Sequence, residues 1–184
     1  MYIKVTAPFK QKDIKKLKAG DLILLSGEIY TARDEAHKRM IETINMGGKI
    51  PFNIENSVLY YVGPCPPKPG QAVGSCGPTT SGRMDIYTPK LIELGLKGMI
   101  GKGYRSEEVI KSMVKHGAVY FTAIGGAGAL LSKKVKKAEI IAYEDLGPEA
   151  VYKFEVEDFP LILTIDKYGN NLYEIERKKY NNYI

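Results

Sequence analysis

The chain has 184 residues, 44% of them hydrophobic, and a formal net charge of +6 at pH 7. That is enough apolar material for one substantial core, and the length favours a single domain over residues 1–184. Basic residues are interspersed with acidic ones and tryptophan is absent, which argues against a nucleic-acid surface.

The densest basic cluster, Lys133-Lys134-Val135-Lys136-Lys137, lacks the interleaved aromatics that stack bases and reads as a solvated turn. The opening Met1-Tyr2-Ile3-Lys4-Val5 is no signal-peptide core, and no apolar run reaches the roughly 18 residues of a membrane span, so a soluble, cytoplasmic protein is expected. Cys65 and Cys76 lie in Pro/Gly-rich loops and fit neither a paired-ligand zinc site nor a disulfide framework. They are too few for a four-iron cluster, which takes about four ligands, so no metal ligands are assigned here. Both read as reduced and structural, with a surface-thiol role left open.

In chain order, residues 13–19 predict a short helix stopped by Gly20, and 21–30 a strand rich in branched and aromatic residues. Thr31 is placed to cap a helix over 33–46, where Ala36, Met40, Ile41 and Ile44 form an apolar stripe ended by Gly47-Gly48. A strand over 57–62 runs into Gly63-Pro64-Cys65-Pro66-Pro67-Lys68-Pro69-Gly70, too proline-rich for regular structure. Thr88-Pro89 opens a helix to residue 94, and a strand over 98–100 leads through a glycine turn into a helix over 107–116. The β-prone run 118–124 precedes Gly125-Gly126-Ala127-Gly128-Ala129, glycines that suit close packing as well as a ligand. Late strands are predicted over 139–143, 151–156 and 161–166, with a turn at Tyr168-Gly169-Asn170 and a frayed tail over 178–184. Strands and helices alternate early and strands dominate late, giving a mixed α/β domain.

Three segments carry candidate chemistry. Gly77-Pro78-Thr79-Thr80-Ser81-Gly82-Arg83-Met84-Asp85 is a tight turn with exposed N–H groups, suited to a small anion. If Thr79 opens a helical turn, its hydroxyl caps that turn and Arg83 falls on the same face four residues on; the alternative is an ordinary N-cap with a solvated arginine. Arg33 occupies a first helical turn, unfavourable for a cation against the helix dipole, unless it binds a ligand or simply pairs with Asp34 or Glu35. His37, one turn on, could orient it or be structural. Gly101-Lys102-Gly103-Tyr104-Arg105-Ser106 resembles a weakened dinucleotide fingerprint, with Ser106 where the third glycine belongs; small residues around Lys102 also let backbone approach any anionic ligand.

The central turn resembles the GPTTSxRMD signature in the C-terminal part of iron–sulfur class I fumarases and the related L-tartrate dehydratases. The likeness continues collinearly through Gly20-Asp21 with Thr31-Ala32-Arg33-Asp34-Glu35-Ala36-His37-Lys38-Arg39, Gly101-Lys102-Gly103, Ile124-Gly125-Gly126 and Lys153-Phe154-Glu155-Val156-Glu157-Asp158-Phe159-Pro160. It implies a three-layer β/β/α swivelling domain serving as the β subunit of a two-subunit hydro-lyase. The implied reaction is reversible hydration of fumarate to L-malate, with L-tartrate dehydration as the alternative. A stand-alone phosphate or nucleotide module remains a further reading of the glycine turns. By the resemblance, Arg33, Arg83, Lys102 and Thr80 bind substrate carboxylates and Thr79 is catalytic, near proton transfer. The same likeness puts a [4Fe-4S] cluster on a partner α subunit, none being bound by this chain. Tyr104 departs from many relatives, which carry asparagine there.

Overall fold

The computed structural model describes residues 1–181. Strands β1 (Tyr2–Ala7), β2 (Leu22–Thr31), β3 (Val58–Tyr60), β4 (Gly98–Gly101) and β5 (Val119–Thr122) lie parallel, each beside the next. Because strand side chains alternate between faces, a parallel strand covered on both sides must be apolar at every position. Here Val58, Tyr60, Ile100 and Phe121 enter one core, while Leu59, Met99 and Tyr120 enter a second on the opposite face.

The second core is closed by helices α2 (Asp34–Asn45), α3 (Thr88–Glu93) and α4 (Glu107–His116), which contribute Ala36 and Met40, Leu91 and Ile92, Val109 and Met113. The first core is closed by antiparallel β6 (Val135–Ala142) and β7 (Val151–Ile165), through residues such as Val135, Phe154, Phe159 and Leu163. β7 pairs with both β5 and β2, so β2-β3-β4-β5-β7 forms a closed ring with β1 and β6 at its flanks. The result is the expected β/β/α layering, with α1 (Gln11–Ile14), α5 (Gly128–Ser132) and α6 (Leu172–Asn181) peripheral.

Several local expectations change. The helix over 13–19 shortens to α1, because the Lys18 N–H binds the Asp21 carboxylate and the Gly20 N–H binds the Leu163 carbonyl, drawing the chain into the sheet. Thr31 does not cap α2: it ends β2, buried, and its hydroxyl accepts the Tyr152 N–H at 3.2 Å. Arg33 takes the cap position, with no side-chain cap bond. The strands expected at 151–156 and 161–166 are one, β7. Asp158 sits in the left-handed region at φ 47°, and its N–H binds the Ser26 hydroxyl, so the bulge is absorbed without breaking the ladder.

The basic cluster divides: Lys133 and Lys134 form the expected turn between α5 and β6, while Val135 to Lys137 already belong to β6, where Lys136 and Lys137 face Glu157 (2.8 Å) and Glu155 (3.1 Å) across the ladder. Residues 178–181 continue helix α6 instead of fraying; 182–184 lie outside the described residues.

Candidate functional site

The carboxyl ends of β2, β3, β4 and β5 are adjacent, with Thr31 opposite Tyr60, Tyr60 opposite Ile100 and Gly101 opposite Thr122. Arg33 follows the first, the proline-rich loop the second, Lys102 the third and Gly125 the fourth. Sheet edges of this kind gather ligand groups from segments far apart in sequence.

The central turn returns to this edge and inserts there. The Thr79 N–H binds the Tyr61 carbonyl at 2.8 Å, the Lys102 N–H binds the Thr79 carbonyl at 3.2 Å, and the Ser81 N–H binds the Lys102 carbonyl at 2.9 Å. Thr80 and Lys102 thus form a parallel bridge between the central turn and the extension of β4. These pairings hold 79–81 extended and delay the turn to a 3₁₀ segment, Ser81–Met84, whose cap position is Thr80, without a cap bond. Thr79 therefore caps no helix, and the expected helical i, i+4 relation to Arg83 is not formed, since the 3₁₀ segment begins only at Ser81. Thr79 is half-buried and Thr80 exposed.

Arg83 and Arg33 converge on one carboxylate. Arg83 Nε donates to Asp34 Oδ1 at 2.8 Å, and Arg33 Nη2 lies 3.6 Å from Asp34 Oδ2 and 3.3 Å from Glu149 Oε1. Glu149 belongs to a second 3₁₀ segment, Glu144–Glu149, and its other oxygen accepts the Glu35 N–H at 3.1 Å. Arg33 Nε and Asp34 Oδ2 are buried without a hydrogen-bond partner among the described residues. A Cβ on Gly63 would sit 3.0 Å from Arg33 Nη1 and 3.1 Å from the Pro148 carbonyl, so glycine in the loop after β3 gives the guanidinium room.

Lys102 is exposed and forms no ion pair among the described residues; its stem passes Gly125, whose missing side chain would reach within 3.8 Å of Lys102 Cδ. The structure thus joins Arg33 with Arg83 through Asp34, and Thr79 and Thr80 with Lys102 through the bridge, with Thr79, Thr80 and Arg83 sharing one short segment. Gly128 instead serves packing, lying against the Gly77 backbone. Tyr104 is exposed, and its ring lies 4.8 Å from that of Tyr173 on α6.

Sequence reading missed the scaffold beneath this edge. Arg105, buried, donates to Asp85 (2.8 Å) and Thr88 (2.9 Å) and lies over the Tyr61 and Tyr120 rings. Asp85, the last residue of the central segment, also accepts the Ser106 N–H at the start of α4, while the Ser106 hydroxyl accepts the Val109 N–H. Ser81 Oγ fills the space where Gly101 lacks a side chain and bonds the Tyr120 hydroxyl at 2.8 Å. The strand-turn-helix of a phosphate fingerprint is present, but a serine and a carboxylate already occupy the first glycine and the helix N-terminus, which disfavours a bound phosphate.

His37 is buried, with Nδ1–H donating to the Arg33 carbonyl at 2.8 Å, so it orients the backbone of Arg33 and not the guanidinium. Burial lowers its pKa to about 4, leaving a neutral ring. Cys65 is exposed, whereas burial of Cys76 pushes its thiol up to about 12. Among the described residues no three His, Cys, Asp or Glu side chains are grouped to hold a metal, so this donor set does not fit an iron–sulfur cluster.

Residues 1–176 match the sequence profile of the Fumarase C-terminus family. The chain is 42% identical over 175 residues to a Methanocaldococcus jannaschii protein named provisionally as L(+)-tartrate dehydratase subunit beta, covering 92% of this chain and 90% of that one. It is 38% identical over 165 residues to Leishmania major fumarate hydratase 2, and 41% identical over 152 residues to the aerobic class I fumarate hydratase of Escherichia coli K12. Those matches take in 89% and 82% of this chain but 29% and 28% of the larger proteins, so the chain spans under a third of their length.

Proposed function

The chain belongs to the Fumarase C-terminus family, and from that premise we propose that it is the β subunit of a two-subunit hydro-lyase acting on a small dicarboxylic acid. The observation that carries this reading is the gathering of Arg33, Arg83 and Lys102 around the Thr79-Thr80 segment at one sheet edge. Guanidinium groups match carboxylates with paired hydrogen bonds, and an ammonium beside them adds a point charge.

In this reading Arg33, Arg83, Lys102 and Thr80 hold the two carboxylates. Elimination of water from a 2-hydroxy dicarboxylate breaks a C–H and a C–O bond. Loss of the carbon-bound proton places extra negative charge on the adjacent carboxylate, which the three cations stabilise. Thr79 is the residue set beside that proton. A free hydroxyl is a weak base, so Thr79 works within the cationic site or relays the proton to a carboxylate of the partner.

The [4Fe-4S] cluster belongs, in this proposal, to a partner α subunit, since the two cysteines here do not fit it. That division agrees with the match to 90% of a protein named as a subunit beta but under a third of the two longer fumarate hydratases. Hydration of fumarate is the first candidate and L(+)-tartrate dehydration the second. A cytoplasmic location is part of the same proposal; among the described residues no helix is long and apolar enough to cross a membrane.

Anaerobic co-expression with the partner subunit, then assay with fumarate, L-malate and L(+)-tartrate, tests the whole reading. The complex is expected to turn over at least one acid, and the isolated chain none. Equal activity of the partner without this chain would make the chain a structural accessory and overturn the proposal.

A further inference from the structure

Asp34 is the one carboxylate that meets both arginines, yet it takes only part of each. On Arg83 it engages Nε, on the side edge of the guanidinium, leaving the two terminal nitrogens that form the bidentate fork. Arg33 has a second counter-ion in Glu149, whereas among the described residues Asp34 is the only ion-pair partner of Arg83. Asp34 itself is fixed in the first turn of α2, where a carboxylate is favoured by the helix dipole. Two like charges brought together for a dianion repel while the site is empty, and a shared carboxylate offsets that repulsion without covering the fork.

We propose that Asp34 is a positioning residue that sets Arg83, and secondarily Arg33, for a substrate carboxylate. The proposal rests on the dicarboxylate reading for its ligand. It does not rest on the exposed ion pair as a source of stability, since half-exposed pairs contribute little.

Two measurements test it. The chain has five arginines, so their Nε–H signals in a ¹⁵N-labelled full-length sample are few enough to assign, that of Arg83 by its loss in Arg83→Lys. The Arg83 signal is expected to be protected from solvent exchange in the parent and to lose protection in Asp34→Asn, with buried Arg105 unchanged as the internal control. An Arg83 signal of unaltered shift and exchange rate in Asp34→Asn overturns the proposal.

In the complex with the partner subunit, Asp34→Asn is expected to raise KM for the acid turned over by about tenfold with kcat changed less than about threefold, and Asp34→Glu to recover part of it. Because Asp34 acts mainly through Arg83, and only secondarily through Arg33, the double variant Asp34→Asn/Arg83→Lys should lose far less than the sum of the two single losses; fully additive losses overturn the proposal. A parent complex inactive on every acid in the panel strikes the proposed function instead, and the exchange measurement then judges Asp34 by itself.

Discussion

Arg105 Nε donates to Asp85 Oδ1 at 2.8 Å with the arginine side chain fully buried, and the other oxygen of Asp85 takes the Ser106 N–H. One carboxylate thus ties the end of the central segment to the start of α4. Removing one partner of a buried pair leaves the other charge uncompensated, at a cost of about 3–5 kcal/mol. Asp85→Asn is therefore expected to lower stability by roughly that amount in urea unfolding of the isolated chain, whereas the exposed pair partner Lys111→Gln should change it by less than about 1 kcal/mol. Equal effects of the two would show that Asp85 is not a structural tie.

The clamp itself is tested at Arg83. Arg83→Lys keeps the charge but removes the fork, so the reconstituted enzyme should lose about 1.5–3 kcal/mol of substrate interaction, read from kcat/KM. An unchanged kcat/KM would mean that the guanidinium never meets the substrate.

Much of this arrangement is legible in the chain. Punctuation places α4 at Glu107–His116, and the structure supplies the local reason: the Ser106 hydroxyl caps it and left-handed Gly117 ends it, both acting within a few residues. The motif residues around Thr79 are visible for the same local reason. The pairing of Arg33 with Asp34 is legible too, but the Asp34–Arg83 contact, Glu149 and Arg105 are not, because each gains its meaning from a partner brought by the fold: Arg83 is 49 positions from Asp34, and Glu149 reaches the α2 backbone across 114. Thr31 shows the limit most plainly. Its sequence context suits a helix cap, but β7 offers it the Tyr152 N–H, and a sheet pairing from the far end of the chain wins.

His37 gives a pH dependence with a definite sign. Burial lowers its pKa to about 4, against 6.5 for the free side chain, so the unfolded chain binds more protons across that interval. Stability is complete above pH 6.5 and falls as pH drops toward 4, with about 2 kcal/mol lost between pH 7.5 and pH 5 from this group. His37→Gln removes the titration while its amide can still donate to the Arg33 carbonyl, and its stability should be flatter over the same range. Parallel pH profiles for the two proteins would show that His37 does not titrate with folding.

The cysteines should separate by reactivity. Cys65 is exposed and Cys76 buried with its thiol pushed up to about 12, so a maleimide at neutral pH should label one site in the native chain and two after denaturation. The purified chain should also be colourless after anaerobic iron–sulfur reconstitution. Stoichiometric iron with cluster absorption in the isolated chain would count against assigning the cluster to the partner.

Thr79 separates catalysis from binding. Its backbone is pinned between Tyr61 and Lys102 whatever its side chain, and it caps no helix, so Thr79→Ala should leave the melting temperature of the chain nearly unchanged. If the hydroxyl takes part in proton transfer, Ala should lower kcat by about 10²-fold or more with KM little altered, the lower end of acid–base effects. Thr79→Ser keeps the hydroxyl and should recover much of that rate, while Arg33, Arg83 and Lys102 hold the carboxylates in both variants. Measuring Tm and kcat on the same reconstituted complexes distinguishes the cases. A parent-like kcat in Thr79→Ala removes the hydroxyl from the mechanism and leaves proton transfer to the partner, with this chain supplying the carboxylate clamps alone.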